Sequence, residues 1–132
     1  MALSVLIVDD NSLFLDAARG LLEREGMRVV GVASTSAEAL RHAEKLRPEV
    51  VLVDIMLGAE SGFELARRLV ESDGGGAAAV ILISTHSEVD FAELIAESAA
   101  AGFLAKSELS ADGIHRIVNG RGSGGDADVQ AP

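Results

Sequence analysis

Cysteine is absent from the 132-residue chain, which excludes disulfides, thiolate metal sites and cysteine nucleophiles. Tryptophan and tyrosine are absent too, and phenylalanine occurs four times, so any core must be built from Val, Ile, Leu and Ala. Basic residues are scarce: 11 Lys and Arg stand against 21 Asp and Glu, for a formal net charge of −10. That balance argues against a nucleic-acid-binding surface, which needs clustered cations to meet phosphates. It is the ordinary charge of a solvated acidic surface. Long apolar runs are missing as well; none approaches the roughly 20 residues of a membrane span. The opening Met-Ala-Leu-Ser carries no basic segment, and the apolar run after it is broken at Asp9, so no secretory signal is read there. The expectation is a soluble cytoplasmic protein that contacts neither membrane nor nucleic acid directly.

Hydrophobic residues make up 48% of the chain, enough for one packed domain. Short apolar runs at 3–8, 29–33, 50–53, 80–83 and 103–105 alternate with amphipathic stretches at 11–25, 36–47, 61–71, 88–101 and 111–118. In the first helix Leu13, Phe14, Ala17, Ala18, Leu21 and Leu22 fall on one stripe, and Gly26 closes it. In the second, Ala37, Leu40, Ala43 and Leu46 face inward and Pro48 stops the helix. Leu65, Ala66, Leu69 and Val70 form the stripe of the third, and Ile114, Ile117 and Val118 that of the fifth, which Ser110 can cap. Strands that are apolar throughout are buried on both faces, as in a parallel sheet covered by helices on each side. Five βα units predict an α/β, flavodoxin-like, doubly wound five-stranded parallel sheet with five helices, for which 2-1-3-4-5 is a common strand order. Residues 1–119 form the domain on this reading. Residues 120–132, rich in Gly, Asp, Ser and Ala, read as a disordered tail or linker. The glycine-rich stretch 73–76 reads as a surface turn, since it lacks the spacing and following Lys of a phosphate loop.

Open α/β sheets bind ligands at the carboxyl ends of their strands. Here the first strand runs into Asp9 and Asp10, the third into Asp54, the fourth ends at Ser84 and Thr85, and the fifth at Lys106. Three carboxylates brought close together raise one another's pKa unless a cation sits among them. An all-oxygen set without His or Cys suits Mg²⁺. Three carboxylates, one ammonium and one divalent cation are together charge-neutral. Such a site can hold a phosphoryl group in line with an attacking carboxylate, giving an acyl phosphate, with Lys106 as counter-charge and Ser84 as a donor. Each residue also has a plainer role: Asp10, Asn11 and Ser12 are helix-capping types, and Asp54 alone suits a turn. Lys106 is, however, one of only two lysines, the other being Lys45, in a chain with nine arginines. His86 is the histidine near this edge, and a loop histidine is ordinarily just exposed.

Taken together, Leu6-Ile7-Val8-Asp9-Asp10, then Val51-Leu52-Val53-Asp54-Ile55-Met56-Leu57 with Gly62, then Val80-Ile81-Leu82-Ile83-Ser84, then Gly102-Phe103-Leu104-Ala105-Lys106 resemble the motif set of response-regulator receiver domains of two-component signalling. The resemblance covers residues 3–118. It implies that Asp54 accepts a phosphoryl group from the phosphohistidine of a sensor histidine kinase or phosphotransfer protein. It implies that Asp9 and Asp10 bind Mg²⁺, Asp10 more directly, with Asp54 and the Met56 carbonyl. Ser84 then moves to the phosphoryl group, Phe103 swings inward, and Lys106 pairs with carboxylate or phosphoryl oxygens. The face made by the fourth helix, fifth strand and fifth helix changes and controls a protein partner or output domain. The implied protein is a switch and not an enzyme, self-phosphorylating from small donors and slowly losing the group at most. Phe103 also reads simply as core.

The chain departs from the pattern in places. Ser107 stands where Pro is usual, and Ser107-Glu108-Leu109 is similar to NarL/FixJ-type receivers, which usually precede a helix-turn-helix DNA-binding domain. Gly58 replaces the Pro common four residues after the phosphoacceptor, which predicts a looser loop. Met56 and His86 occupy the two variable positions that tune phosphoryl lifetime. The competing readings are a Mg²⁺-dependent aspartyl-phosphate phosphohydrolase, which would want an acid/base Asp where Met56 stands, and a phosphorylation-independent binding module with this fold. A symmetric homodimer through one face is compatible with the resemblance.

Overall fold

The computed structural model describes residues 3–72, 79–85, 91–98 and 100–122. His86, residues 73–76, the first turn expected for the fourth helix and residues 123–132 lie outside the described residues. Five strands, β1 (Ser4–Val8), β2 (Arg28–Ala33), β3 (Val50–Asp54), β4 (Ala79–Ser84) and β5 (Gly102–Ala105), form one parallel sheet in the order β2-β1-β3-β4-β5. Every residue of β1, β3 and β4 is buried, as their unbroken apolar runs require. A register shift between Val5 and Leu6 separates β1 from strict pairing with β2.

The helices are α1 (Ser12–Arg24), α2 (Ser36–Leu46), α3 (Gly62–Ser72), α4 (Ala92–Glu97) and α5 (Ala111–Gly122). Alternate strand residues point to opposite faces and build two cores. Val5, Ile7, Val50, Leu52, Ile81 and Ile83 pack against Leu15, Ala18 and Leu22 of α1 and Ile114 of α5. Leu6, Val8, Val51, Val53, Val80 and Leu82 pack against Ala39 of α2 and Leu65, Ala66 and Leu69 of α3. The sheet is therefore covered on both sides, as expected.

The helices differ from the sequence reading in phase at α1 and α2 and in extent at α4 and α5. In α1 the Asn11 side chain accepts from Leu13 N and Phe14 N, and this cap turns Leu13 outward to 79% exposure while Leu15 enters the core. Ala17 is exposed as well. In α2 the Thr35 hydroxyl caps Glu38 N, which buries Ala39 and leaves Ala37 and Leu46 exposed. The fourth helix ends at Glu97, well short of residue 101. There the Ser98 hydroxyl donates to the Ile95 carbonyl and accepts from Ala100 N, and Ala101 N is taken by the Val80 carbonyl at the sheet. At the other end of the chain α5 runs on to Gly122, through the first residues read as tail.

The loop after β3 is not loose. Met56 pairs with Ser61 and Leu57 with Glu60 in a minimal antiparallel hairpin. Its turn uses Gly58 at φ +58°, the left-handed region that glycine enters without steric cost. Glu60 pins the hairpin to α2 by accepting from Ser36 N at 2.9 Å.

Candidate functional site

Asp9 follows β1, and its amide donates to the Ala33 carbonyl, so the side chain emerges fully buried at the carboxyl rim of the sheet. Asp10, one residue on, is exposed. Asp54 ends β3 opposite Ile83 of β4 and is 7% exposed. Asp9, Asp10 and Asp54 each offer a carboxylate oxygen within 4.8 Å of the others. The crowding expected from their strand-end positions is what the fold produces.

Lys106 begins the short 3₁₀ turn after β5 and extends back over this cluster. Its Nζ lies 2.5 Å from Asp9 Oδ2 and 3.4 Å from Asp54 Oδ2. Asp9 Oδ1 accepts from Asn11 N at 2.9 Å, and Asp54 Oδ1 accepts from Met56 N at 3.2 Å. The Lys106 contact with Asp9 is an ion pair by distance; Asp9 Oδ2 has no directed hydrogen bond among the described residues. The Lys106 ammonium is thus the charge partner of this buried oxygen, and one ammonium leaves three clustered carboxylates under-neutralised, which a hard cation among them would balance. The donor set fits a divalent metal of the Mg²⁺ type.

Burial pushes the Asp54 carboxyl up to about 6, with repulsion from Asp9 adding to it. The Met56 amide and the Lys106 ammonium pull the other way without cancelling the rise. An added positive charge at this point would return Asp54 to its ionised, nucleophilic form.

The remaining predicted residues fall around the cluster. Ser84 ends β4 beside Ala105 and is 2% exposed. Phe103 is half-buried against the second core. Met56 is 55% exposed at the mouth of the site. His86 lies outside the described residues.

Two further residues shape the site and were not singled out for it in the sequence. Phe14 places its ring against the Lys106 ammonium, 4.3 Å from centroid to Nζ; in the sequence it reads only as a stripe residue of α1. Gly58 backs Asp10, whose Oδ2 would stand 3.2 Å from a Cβ at that position. Its signal was the missing proline, which points to a turn but not to the carboxylate behind it.

A family model described as the response regulator receiver domain matches residues 5–119. The response regulator GacA of Pseudomonas viridiflava is 32% identical over 114 residues, which cover 86% of this chain and 52% of that protein. A protein-glutamate methylesterase/protein-glutamine glutaminase of Hahella chejuensis is 42% identical over 69 residues, 52% of this chain and 20% of that protein. The chain thus spans about half the length of the first of these relatives and a fifth of the second. The crystal structure of a LuxR-family two-component response regulator from Aurantimonas sp. SI85-9A1 superposes with a TM-score of 0.81 at 29% identity, covering 92% of this chain and 88% of that one. Among the described residues no helix is long and apolar enough to cross a membrane.

Proposed function

The chain belongs to the response-regulator receiver domain family of two-component signalling, and from that premise we propose that Asp54 is its phosphoacceptor. The observation that carries the proposal is the convergence of Asp9, Asp10 and Asp54 within 4.8 Å under the Lys106 ammonium. An Asp54 oxygen attacks the phosphorus of a phosphohistidine on a sensor histidine kinase or phosphotransfer protein. The P–O bond forms as the P–N bond breaks, and the imidazole leaves with a proton from solvent. Asp9, Asp10 and Asp54, with the Met56 carbonyl, would hold Mg²⁺, and bound there it offsets negative charge on the phosphoryl oxygens. Lys106 balances the same charge from the other side, and its short reach to both Asp9 and Asp54 supports that role. Ser84 donates to a phosphoryl oxygen once the group is in place. Met56, exposed at the mouth of the site, and His86, by its position in the sequence alone, are assigned to tuning its lifetime.

The output is a population shift. Phosphorylation favours a state in which Ser84 and Phe103 move toward Asp54 and the face of α4, β5 and α5 changes. Two features support this. Phe103 is only half-buried, and α4 fully buries none of its residues, as suits an element drawn from the low-stability end of the fold. The receiver is assigned to residues 1–119, and the stretch from 120 onward to a linker whose first three residues continue α5. The output is a downstream protein partner or a DNA-binding domain of a longer chain, the chain spanning about half the length of the response regulator it matches. The receiver works in the cytoplasm. It is a switch and not an enzyme: the likeness to the methylesterase spans a fifth of that protein and is no ground for esterase chemistry here. Acetyl phosphate with Mg²⁺ should add one phosphoryl group by intact mass, and Asp54→Asn should abolish the addition. An unmodified wild-type mass would overturn the proposal.

A further inference from the structure

Four residues close a ring around the site. Asn11 N donates to Asp9 Oδ1, the Asn11 side chain accepts from Phe14 N, the Phe14 ring faces Lys106 Nζ, and Lys106 returns to Asp9 Oδ2. The Asn11 cap thus sets the first turn of α1 so that an aromatic face stands where the lysine must end. We propose that Phe14 is a positioning residue for Lys106, holding the ammonium over the site while the charge in front of it changes. The inference rests on the phosphoacceptor reading above.

The physical need is specific to lysine. Its ammonium is a point charge on a flexible four-carbon stem with three rotatable donors. In front of it stand Asp9 and Asp54, whose oxygens a divalent cation would share and whose charge an acyl phosphate would redistribute. Those contacts therefore change in strength through the phosphorylation cycle. The Phe14 ring does not: its quadrupole attracts a cation whatever the state of the carboxylates. The Lys106 side chain is only 13% exposed, so water competes weakly with the ring and the contact lies toward the desolvated, stronger end of its range. A donor held in place before reaction costs no reorganisation as charge develops.

The test uses the chain's two lysines. With ¹³C at lysine Cε, the full chain without metal or phosphodonor should give a Lys106 methylene signal shifted upfield by the ring, with Lys45 as the unshifted reference. Phe14→Leu should remove the shift, and Phe14→Tyr should keep it. With acetyl phosphate at saturating Mg²⁺, Phe14→Leu should be phosphorylated roughly three- to tenfold more slowly, with half-saturating Mg²⁺ within about twofold of wild type. Phe14→Tyr, which folds with the same ring, should recover the rate. A Lys106 signal at the Lys45 position in wild type, or a Phe14→Leu protein phosphorylated at the wild-type rate, overturns the inference while leaving Asp54 as acceptor. A wild type that takes no phosphate overturns the phosphoacceptor reading instead, and the lysine spectrum then still decides whether Phe14 holds Lys106.

Discussion

Gly62 lies against the backbone of Asp54: a Cβ on residue 62 would stand 2.0 Å from the Asp54 carbonyl oxygen and 2.8 Å from its carbonyl carbon. The Gly62 amide also donates to the Ile55 carbonyl at 2.7 Å, so neither segment can retreat without breaking that bond. The start of α3 therefore acts as the floor beneath the proposed phosphoacceptor.

Gly62→Ala should then lose about 1–3 kcal/mol of stability through overpacking, read by chemical denaturation. It should also slow phosphorylation by displacing Asp54. Gly20→Ala is the control: its Cβ would meet only the tip of the Arg24 side chain at 3.3 Å. In the middle of α1 that change should stabilise by about 0.5–1 kcal/mol. Equal effects at the two positions would contradict the account of Gly62.

The raised pKa of Asp54 makes a signed prediction for the metal-free protein. Folded Asp54 keeps its proton up to about pH 6, whereas an ordinary aspartate releases it near 3.8. Between those values the folded state binds more protons than the unfolded state, so this contribution is complete below 3.8 and is lost as pH rises through about 6. In chelator, the Tm of wild type relative to Asp54→Asn should fall across that window. Mg²⁺ should restore it at pH 7 and do little at pH 5. A wild-type curve parallel to that of Asp54→Asn would show that Asp54 is not perturbed.

Lys106 and a divalent cation compete for the same oxygens, since the ammonium already lies within 3.4 Å of both Asp9 and Asp54. Lys106→Met keeps the stem and removes the charge. It should bind Mg²⁺ several-fold more tightly yet accept phosphate more slowly, because the counter-charge to the phosphoryl oxygens is gone. The chain has no tryptophan or tyrosine, so the titration is followed by NMR. Weaker Mg²⁺ binding in Lys106→Met would argue that the lysine orders the carboxylates and does not compete for them.

Much of the fold can be read from residue pattern because strands buried on both faces leave unbroken apolar runs. Val50–Asp54 and Ala79–Ser84 are the clearest cases. Helix phase is less legible. Residues 13–15 read Leu-Phe-Leu, and it is Leu15, in phase with Ala18 and Leu22, that packs inward while Leu13 faces out. The hairpin of Met56–Leu57 and Glu60–Ser61 is too short for any periodicity; its tie to Ser36 lies 24 residues away in the chain. The site carboxylates and Lys106 are legible for a different reason, since each follows an apolar strand and strand ends converge on one rim. Phe14 is not, because an aromatic on a helix stripe looks like core until the lysine is placed upon it.

Asp54 is the residue proposed to carry the phosphoryl group. Borohydride reduction after incubation with acetyl phosphate converts an aspartyl phosphate to homoserine, which peptide mapping locates. Reduction confined to residue 54, dependent on Mg²⁺ and absent in Asp54→Asn, is the result predicted. Reduction at Asp9 or Asp10, or a phosphoryl group resident on Ser84 or His86 with residue 54 untouched, would contradict it.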